Sequence, residues 1–467
     1  MSNKPNLIYV FADQLRFSSV GFNGDELAKT KELDEIEKQC VNMENAVSGH
    51  PVCAPYRASL FTGKYTTSTG MVINEIRINQ NHRTLANVFT ENGYETCYIG
   101  KWHLYANQLG HHFNTKNSYI PKGERLGFDD FFAGYNFHHK YYAPYAYYHL
   151  DSPEKIYCKG YEPDLQTDMA IRHINRLKEG DKPFALFLSL GTPHDPWTQD
   201  NVPEEYYKLF SDTDFPLPEN YSSKNDKYAD MWAKFNPGAR KNLNEQKRVY
   251  YAMVANLSKN IGRLYDAIEK AGIGDNTIFV FTSDHGEMQG SHGRHAKNIF
   301  YDEAVRVPFL IKWGNKLTPG RNDNCLNTVD IMPTLLSMCG LPIPDSVQGI
   351  DLSKAIIDGT HIDNPCLMMG TGPTAIYGDG YEWRAVRTRR YTYATYLRDS
   401  SEYLFDNIND PYQKRNLAGN PDYAKIKANM KAAMYKKMRE AGDRFRKNSY
   451  YKKHWVKDRM ILPELPQ

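Results

Sequence analysis

The sequence lacks the features that mark disulfide-rich, zinc-binding and membrane-spanning proteins. Only seven cysteines occur among 467 residues, and no two of them have the Cys-x-x-Cys spacing. A sparse, odd-numbered set of this kind argues against a disulfide framework and against a zinc cluster. No apolar run reaches the roughly 20 residues that a transmembrane helix needs. The amino terminus has no apolar stretch of signal-peptide length either.

Long blocks of charge of one sign are also missing. Lys and Arg number 58 against 55 Asp and Glu, which gives a net charge of +3. This balance argues against nucleic acid as a partner, and the lack of an apolar span argues against a membrane. We therefore expect a soluble protein, cytoplasmic as the sequence stands, and periplasmic or secreted if a presequence has been removed. The length fits one large domain and a smaller one.

Short apolar runs alternate with helical stretches through most of the chain. Such alternation predicts an α/β fold with a large, mostly parallel sheet sandwiched by helices. The strands are predicted at residues 7–12, 96–99, 184–190, 277–282 and 308–313. The charged, Asn- and Pro-containing region 201–248 has the composition of a surface insertion.

The carboxyl-terminal part of the chain, from residue 351 onward, has a different pattern. Residues 351–380 are rich in Gly, Pro, Asp and Thr, which is typical of a linker. Beyond them, alternating strand patterns and an amphipathic helix at 423–440 predict a small antiparallel sheet with one helix. We therefore predict a catalytic domain at 1–365 and a carboxyl-terminal subdomain at 366–467.

One cysteine stands at the start of a predicted helix. In the run from Cys53 to Lys64, Pro55 suits a first helical turn and Gly63 suits the residue that ends the helix. Arg57 lies one turn after Cys53, so both side chains share a face beside the free N–H groups of the helix start, which attract anions. A buried apolar thiol beneath a helix cap is the alternative interpretation.

Polar residues follow four of the predicted strands, at the edge where the carboxyl ends of parallel strands meet. An active-site crevice in an open α/β sheet lies at this edge. Each residue alone has a structural alternative, because Asp at a strand end often caps a helix. The residues are Asp13 and Gln14, Lys101 and His103, His194, and Asp284 and His285.

These positions fall in short motifs: Gly100-Lys101-Trp102-His103, Pro193-His194-Asp195-Pro196, and Asp284-His285-Gly286 followed by Lys297. Together with the Cys53-x-Pro-x-Arg run and Thr62-Gly63, they resemble the motifs of the type I, formylglycine-dependent sulfatases of the alkaline phosphatase superfamily. Lys64 replaces the arginine that usually follows Thr-Gly. The resemblance covers most of the chain and implies an alkaline-phosphatase-like fold.

The resemblance implies that Cys53 is a precursor. A separate maturation enzyme would oxidise it to formylglycine, whose hydrated aldehyde is the nucleophile of the family. It also implies a divalent metal held by Asp13, Gln14, Asp284 and His285, together with the modified Cys53. Gln14 and His285 stand where many relatives have Asp and Asn. Calcium prefers an all-oxygen shell and imidazole suits softer metals, so we expect Ca²⁺ first, with Mn²⁺ or another divalent metal as the alternative.

The implied activity is hydrolysis of a sulfate ester, most simply of a sulfated sugar or glycan. The implied catalytic residues are Cys53, Arg57, Lys101, His103, His194, Asp284 and Lys297. Two alternatives stay open: a phosphonate monoester or phosphodiester hydrolase with the same site, and a non-catalytic sulfoglycan-binding protein. The aromatic stretch 131–148, the insertion 201–248, and Asn74, Glu75 and Arg77 are candidates for the leaving-group pocket. His292 and His295 are interpreted as loop residues.

Overall fold

The computed structural model describes residues 4–106, 118–456 and 459–462. Its strands in chain order are β1 (Asn6–Asp13), β2 (Val41–Val47), β3 (Glu95–Lys101), β4 (Phe131–Tyr135), β5 (Tyr147–Tyr148), β6 (Ile156–Tyr157), β7 (Phe184–Pro193), β8 (Thr277–Ser283), β9 (Phe309–Trp313), β10 (Gly320–Asn327), β11 (Cys366–Gly370), β12 (Trp383–Arg387), β13 (Tyr391–Tyr396), β14 (Glu402–Asp406), β15 (Trp455–Val456) and β16 (Met460–Ile461). The α-helices are α1 (Lys31–Glu37), α2 (Cys53–Thr62), α3 (Thr66–Thr69), α4 (Leu85–Glu91), α5 (Glu162–Leu177), α6 (Glu204–Lys208), α7 (Pro237–Lys241), α8 (Leu243–Lys270), α9 (Asp302–Val305), α10 (Thr328–Met338), α11 (Ser353–Asp358), α12 (Ala424–Glu440) and α13 (Asn448–Lys453).

The large sheet has eight strands in the order β10-β2-β9-β8-β1-β7-β3-β4. Its centre is parallel, because β1 pairs in parallel with β7 and β8, and β3 pairs in parallel with β7 and β4. Side chains of a strand alternate between the two faces of a sheet. Tyr9 and Phe11 thus pack with α2, α4 and α10, and Val10 and Ala12 pack with α5 and α8. The predicted sheet between helical layers is confirmed.

Strand β9 runs antiparallel to both of its neighbours, β2 and β8. The predicted strand at 308–313 thus exists, with Thr282 opposite Phe309 and Ile278 opposite Trp313. The chain leaves β8 at the carboxyl edge of the parallel strands and re-enters the sheet from the same edge. The segment between these strands, 284–308, is therefore held at that edge.

A second, antiparallel sheet has the order β11-β12-β13-β14. Helix α12 packs on it through Met430, Met434 and Met438, which recur every four residues on one helix face. The predicted antiparallel sheet with one helix is confirmed. The interpretation of residues 351–380 as a linker is wrong, because they contain α11 and β11, and β11 pairs with β12 along its whole length. The division at residue 365 stays a prediction.

The region 201–248 contains α6, α7 and the first turns of α8. It is only partly a surface insertion, since Phe210 and Phe215 are buried in the core beneath α8. Among the described residues, no helix has both the length and the apolar character needed to cross a bilayer. Strands β1, β3, β7 and β8 end side by side, so the polar residues that follow them meet at one edge of the sheet.

Candidate active site

Helix α2 places Cys53 at its first residue, at this same edge. The preceding Val52 is extended, and Gly63 ends the helix in the left-handed region with a φ of 63°. A left-handed residue after a helix favours glycine, which has no Cβ to clash. All ten residues of α2 are buried. The predicted helix is confirmed, and Cys53 is buried at its start.

Four polar side chains surround the thiol of Cys53. Its Sγ lies 3.2 Å from His285 Nε2 and 3.3 Å from Lys297 Nζ. Asp13 Oδ1 lies 3.6 Å away, and the buried His103 is close enough for its pKa and that of the thiol to influence each other. Burial raises the pKa of Cys53, but Lys101, Lys297 and His285 outweigh it and hold the pKa well below its ordinary value. The site is therefore built to stabilise negative charge at this position.

A group of metal-binding side chains lies at the same point. Asp13, Cys53, Asp284 and His285 each offer one ligand atom, and these atoms all lie within 4.8 Å of one another. His285 Nδ1 donates to the main-chain oxygen of Gly286 at 2.9 Å, so the lone pair of the neutral ring is on Nε2, which faces the cluster. Asp284 Oδ2 is buried and accepts no hydrogen bond from the described residues. Two carboxylates and an oriented imidazole fit a divalent cation.

The two carboxyl groups of this cluster differ in their proton affinity. Burial and Cys53 raise the pKa of Asp13, but Lys101, His194 and Lys297 lower it to about 2. Burial and the nearby Asp13 raise the pKa of Asp284 to about 6. Two carboxyl groups that share one site commonly have pKa values separated in this way.

Gln14 enters the site in a conformation that its neighbours fix. It has a positive φ of 72°, which is uncommon for a residue other than glycine. Its Nε2 donates to Glu287 Oε2 at 2.7 Å, and its Oε1 accepts from Lys297 Nζ at 2.7 Å. The amide oxygen thus faces Lys297, and metal ligation by Gln14 stays a prediction. Sequence reasoning missed the role of Glu287 as its support, although Glu287 follows directly on Asp284-His285-Gly286.

Arg57 and Lys101 supply positive charge from beneath the cluster. Arg57 Nη1 donates to the main-chain oxygen of Lys101 at 2.6 Å and to Ser189 Oγ at 2.7 Å. Its Nη2 lies 3.3 Å from Asp13 Oδ2 and 3.6 Å from Asp284 Oδ2. Lys101 Nζ donates to Asp13 Oδ2 at 2.5 Å. Both cations are fully buried, so their pairing with the carboxylates is strong and sets the carboxylate orientation.

His194 lies on the side of the site that faces Lys297. Its Nδ1 contacts the main-chain oxygen of Asp195 at 2.9 Å and the Oδ1 of that residue at 3.1 Å, and its Nε2 lies 2.9 Å from Lys297 Nζ. Burial and Lys297 lower the pKa of His194, but Asp195 and Asp13 outweigh them and raise it to about 9. The imidazole therefore holds a proton at neutral pH that it can donate.

His103 has the opposite character. Burial lowers its pKa to about 3, although the nearby Cys53 opposes this effect. The ring is therefore neutral at neutral pH and is able to accept a proton. The two histidines that were predicted from separate motifs thus differ in charge at neutral pH, so that His194 is able to donate a proton and His103 is able to accept one.

A cavity of about 200 Å³ opens above Cys53. The aromatic stretch 131–148, the insertion 201–248 and Asn74, which were proposed for the leaving-group pocket, all contribute to its wall. Glu75 and Arg77, which were also proposed, do not line it. His295 lines the cavity as well, so its interpretation as a plain loop residue is incomplete. His292 instead stacks on Tyr301, outside the cavity. The wall residues are Gln14, Cys53, Asn74, Phe137, His139, His194, Asp195, Trp232, His295, Ala296, Lys297, Thr374 and Ala375.

His139, from the aromatic stretch 131–148, lies in the site as well. Its Nε2 lies 2.8 Å from Lys101 Nζ, and its ring lies against that of His194 with centroids 3.7 Å apart. Burial, His194 and Lys101 hold its pKa well below the ordinary value, so the ring is neutral. The aromatic composition of 131–148 indicated the stretch, but no motif distinguished this histidine.

Comparison with known proteins agrees with this geometry. The family profile described as "Sulfatase" matches residues 5–341. A relative from Formosa agariphila, named an ulvan-active sulfatase, is 37% identical over 457 residues, which are 97% of this chain and 84% of the relative. The chain belongs to the sulfatase family. The carboxyl-terminal profile of N-sulphoglucosamine sulphohydrolase matches residues 290–440 of this sulfatase.

Solved structures give the same result for the fold. The protein YidJ of Bacteroides fragilis has a TM-score of 0.83 with 28% identity, over 96% of this sulfatase and 98% of that chain. A second structure, solved with its substrate D-glucosamine-2-N,6-O-disulfate, has a TM-score of 0.81 with 22% identity, over 94% and 99% of the two chains. The predicted alkaline-phosphatase-like fold is confirmed. Membership of the family implies a divalent metal and a formylglycine.

Proposed function

We propose that this sulfatase hydrolyses the sulfate ester of a sulfated sugar or glycan through a formylglycine made from Cys53. The convergence of Lys297, His285, His103 and Asp13 on Cys53 Sγ is the observation that carries the proposal. Cations and proton-transfer groups around one atom are what attack on an anionic ester requires. The ulvan-active name of one relative and the sugar sulfate bound to another protein of this fold support the substrate class.

In the first step, one hydroxyl of the hydrated formylglycine loses its proton to Asp284 and attacks sulfur. The bond between sulfur and the ester oxygen breaks, and His194, assisted by Lys297, gives the leaving oxygen its proton. The raised pKa of His194 fits a general acid. Lys101 and Lys297 offset the charge of the sulfate oxygens, and Arg57 orients the formylglycine.

In the second step, the sulfated formylglycine releases inorganic sulfate. His103 takes the proton of the remaining hydroxyl, the bond between carbon and the sulfate oxygen breaks, and the aldehyde re-forms. Water then hydrates the aldehyde for the next cycle. The neutral state of the His103 ring fits this role of base. The same elimination is impossible for a serine ester, which is why an aldehyde hydrate is useful here.

We propose Ca²⁺ as the metal, held by Asp13, Gln14, Asp284 and His285 beside the modified Cys53. When bound, the cation neutralises charge on the sulfate and on the two carboxylates. Oxygen atoms dominate this set, which favours Ca²⁺, while the imidazole of His285 keeps Mn²⁺ as the alternative. A formylglycine-generating maturation enzyme is the second partner that the proposal requires.

Removal of the metal is expected to lower both activity and stability. Chelation removes one of the counter-charges of the Asp13 and Asp284 carboxylates, so the melting temperature should fall by several degrees and sulfate release should stop. Calorimetry with EDTA, followed by titration of Ca²⁺ or Mn²⁺, measures both effects. His285→Asn should shift the preference toward Ca²⁺, because an oxygen ligand replaces a nitrogen. Unchanged melting and turnover in EDTA would contradict a bound metal.

Trp232 is expected to contribute to binding of the sugar. It lines the cavity, and its ring stacks on no other aromatic ring in the described parts of the chain. An aromatic face of this kind packs on the apolar face of a pyranose. We expect Trp232→Ala to raise KM for a sulfated sugar about tenfold with little change in kcat. Trp232→Phe should retain part of the affinity.

The matched control for this prediction is Met231→Ala. Met231 is the neighbouring residue, is 66% exposed, and does not line the cavity. Its replacement should leave KM unchanged. Equal KM values for Trp232→Ala and the wild type, on every sulfated sugar that the wild type hydrolyses, would exclude a sugar contact at Trp232.

A substrate screen tests the function as a whole. Protein in which Cys53 has been converted to formylglycine is incubated with sulfated monosaccharides, short sulfated oligosaccharides and a phosphonate monoester at equal concentration. The sulfate or alcohol that is released is then measured. We expect the largest kcat/KM for a sulfated sugar. Preferential turnover of the phosphonate ester would favour the alternative hydrolase, and binding without turnover would favour the non-catalytic alternative.

A further inference from the structure

The positive charge of this sulfatase is concentrated near its carboxyl terminus. Residues 424–453 contain eleven Lys and Arg but only two acidic residues, Glu440 and Asp443. The whole chain has a net charge of +3, so the remainder is net negative. The basic residues are interspersed with apolar and polar ones, which is why no single run stands out in the sequence.

Most of these cations are exposed, and among the residues that the structure describes only three of them pair with a nearby acid: Lys427 and Lys431 with Glu402, and Lys436 with Glu440. Asp443 is buried and pairs with the buried Arg384. Helix α12 uses its methionines for the core, so its basic residues face outward. Six exposed cations, called here the basic surface, form no ion pair with any acidic group in the described ranges: Arg439, Arg444, Arg446, Lys447, Lys452 and Lys453.

The basic surface adjoins the wall of the active-site cavity. Thr374 and Ala375 line the cavity and belong to the loop 371–379. The same loop packs on α13, because Asn448 Nδ2 donates to the Thr371 oxygen at 2.8 Å and Asn448 Oδ1 accepts from the Gly378 nitrogen at 2.9 Å. One loop therefore connects the cavity to the basic surface.

Contacts at the far end of this loop extend the connection. Ser449, the next residue of α13, donates to Asp379 from its main-chain nitrogen at 2.7 Å and from its hydroxyl at 2.8 Å. Lys452 lies over the ring of Tyr377, with its Nζ 5.9 Å from the ring centroid. At least one cation of the basic surface is thus in direct contact with the loop that forms the cavity wall.

We propose that the basic surface binds the anionic chain of a polysulfated glycan while one sulfated sugar of that chain occupies the cavity. The inference rests on the proposed function, because the polyanion bound at the surface is the same sulfated glycan whose sulfate ester is hydrolysed in the cavity. At about 200 Å³, the cavity is smaller than common ligand pockets of roughly 300–1,000 Å³, so most of a polymer lies outside it. Guanidinium and ammonium groups pair well with sulfate oxygens.

Clustered charge also acts at a distance. A patch of one sign attracts an oppositely charged polymer over about 10 Å at 0.1 M salt and raises its local concentration. The negative remainder of the protein repels the same polymer, so the basic surface guides the chain toward the loop 371–379. The surface would therefore lower KM for long sulfated substrates and leave the chemical step unchanged.

The test compares two variants that each carry four substitutions and each lose four positive charges. The basic-surface variant combines Arg446→Gln, Lys447→Gln, Lys452→Gln and Lys453→Gln. The control variant combines Lys178→Gln, Lys182→Gln, Lys270→Gln and Lys316→Gln, which are exposed lysines near the opposite end of the large sheet. The probe is fluorescein-labelled dextran sulfate, and binding is measured by fluorescence anisotropy across a series of NaCl concentrations.

We expect the basic-surface variant to bind dextran sulfate about tenfold more weakly and with a shallower salt dependence, because fewer counterions are released. The control variant should match the wild type. Equal affinity of all three proteins would overturn the proposal. Binding of duplex DNA or phosphatidylserine vesicles by the wild type as tightly as dextran sulfate would also overturn it, because the surface would then not select a glycan.

A separate readout isolates the proposed function. Processed wild type and both variants are assayed for sulfate release from 4-nitrophenyl sulfate and from small sulfated sugars, which are too short to reach the basic surface. Equal rates for the three proteins support the assignment of the surface to binding. A basic-surface variant that is slow on these small esters would contradict it. Absence of sulfate release by the wild type from every ester would overturn the proposed function instead.

Discussion

Replacement of Cys53 by alanine should reduce sulfate release by about 10⁴-fold or more, because loss of a covalent nucleophile removes the reaction path itself. The lysines and histidines around Cys53 would remain and would still bind the sulfate ester. We therefore expect little change in the affinity for substrate, measured by calorimetry with a sulfated sugar. Cys158→Ser, at a buried cysteine outside the site, is the control and should retain full activity.

The modification state of Cys53 provides the sharper test. Mass spectrometry of the peptide Val52–Lys64 separates thiol from aldehyde, and the specific activity should rise in proportion to the aldehyde fraction. Cys53→Ser, in protein whose serine is shown to be unmodified, should give at most one turnover and then remain as the sulfate ester. Full activity of a preparation that contains only the thiol would refute the formylglycine mechanism.

The parts of the site that the sequence predicted are those that local rules determine. Helix α2 begins at Cys53 and ends before Gly63 because a proline, a glycine and apolar neighbours define it within twelve residues. Asp13 and Lys101 end strands that are buried and parallel, and Asp284 follows such a strand, so their convergence follows from strand direction alone. The other predicted site residues, such as His194 and Lys297, lie in loops and were predicted from short sequence motifs.

The cavity wall could not be predicted in the same way, because long-range contacts place it. Trp232 lies in the insertion and reaches the cavity because Asp230 beside it accepts hydrogen bonds from the Thr374 nitrogen and hydroxyl, 144 residues away. His139 gains its position from Lys101, at the end of β3, and from His194, directly after β7. Strand β11 was missed for a different reason, because its five residues lie within a stretch whose Gly, Pro, Asp and Thr content is typical of a linker.

His194→Ala should slow sulfate release in a way that depends on the leaving group. A sugar alkoxide is a strong base and leaves poorly without a proton, so the rate on a sulfated sugar should fall about 10³-fold. A nitrophenolate is a weak base and leaves readily, so the rate on 4-nitrophenyl sulfate should fall far less. Comparison of kcat/KM for the two esters, in wild type and variant, measures the difference. An equal loss on both esters would exclude His194 as the general acid.

The pH dependence gives an independent test of this role. The acid form of His194 is required, and Asp195 and Asp13 raise its pKa to about 9 against the effect of burial and Lys297. On the alkaline side of the pH profile, we therefore expect kcat/KM on a sulfated sugar to be constant below pH 9 and to fall as pH rises through that value. Asp195→Asn removes the main group that raises this pKa, so the fall should begin at lower pH. An alkaline limb that does not move in Asp195→Asn would show that another group donates the proton.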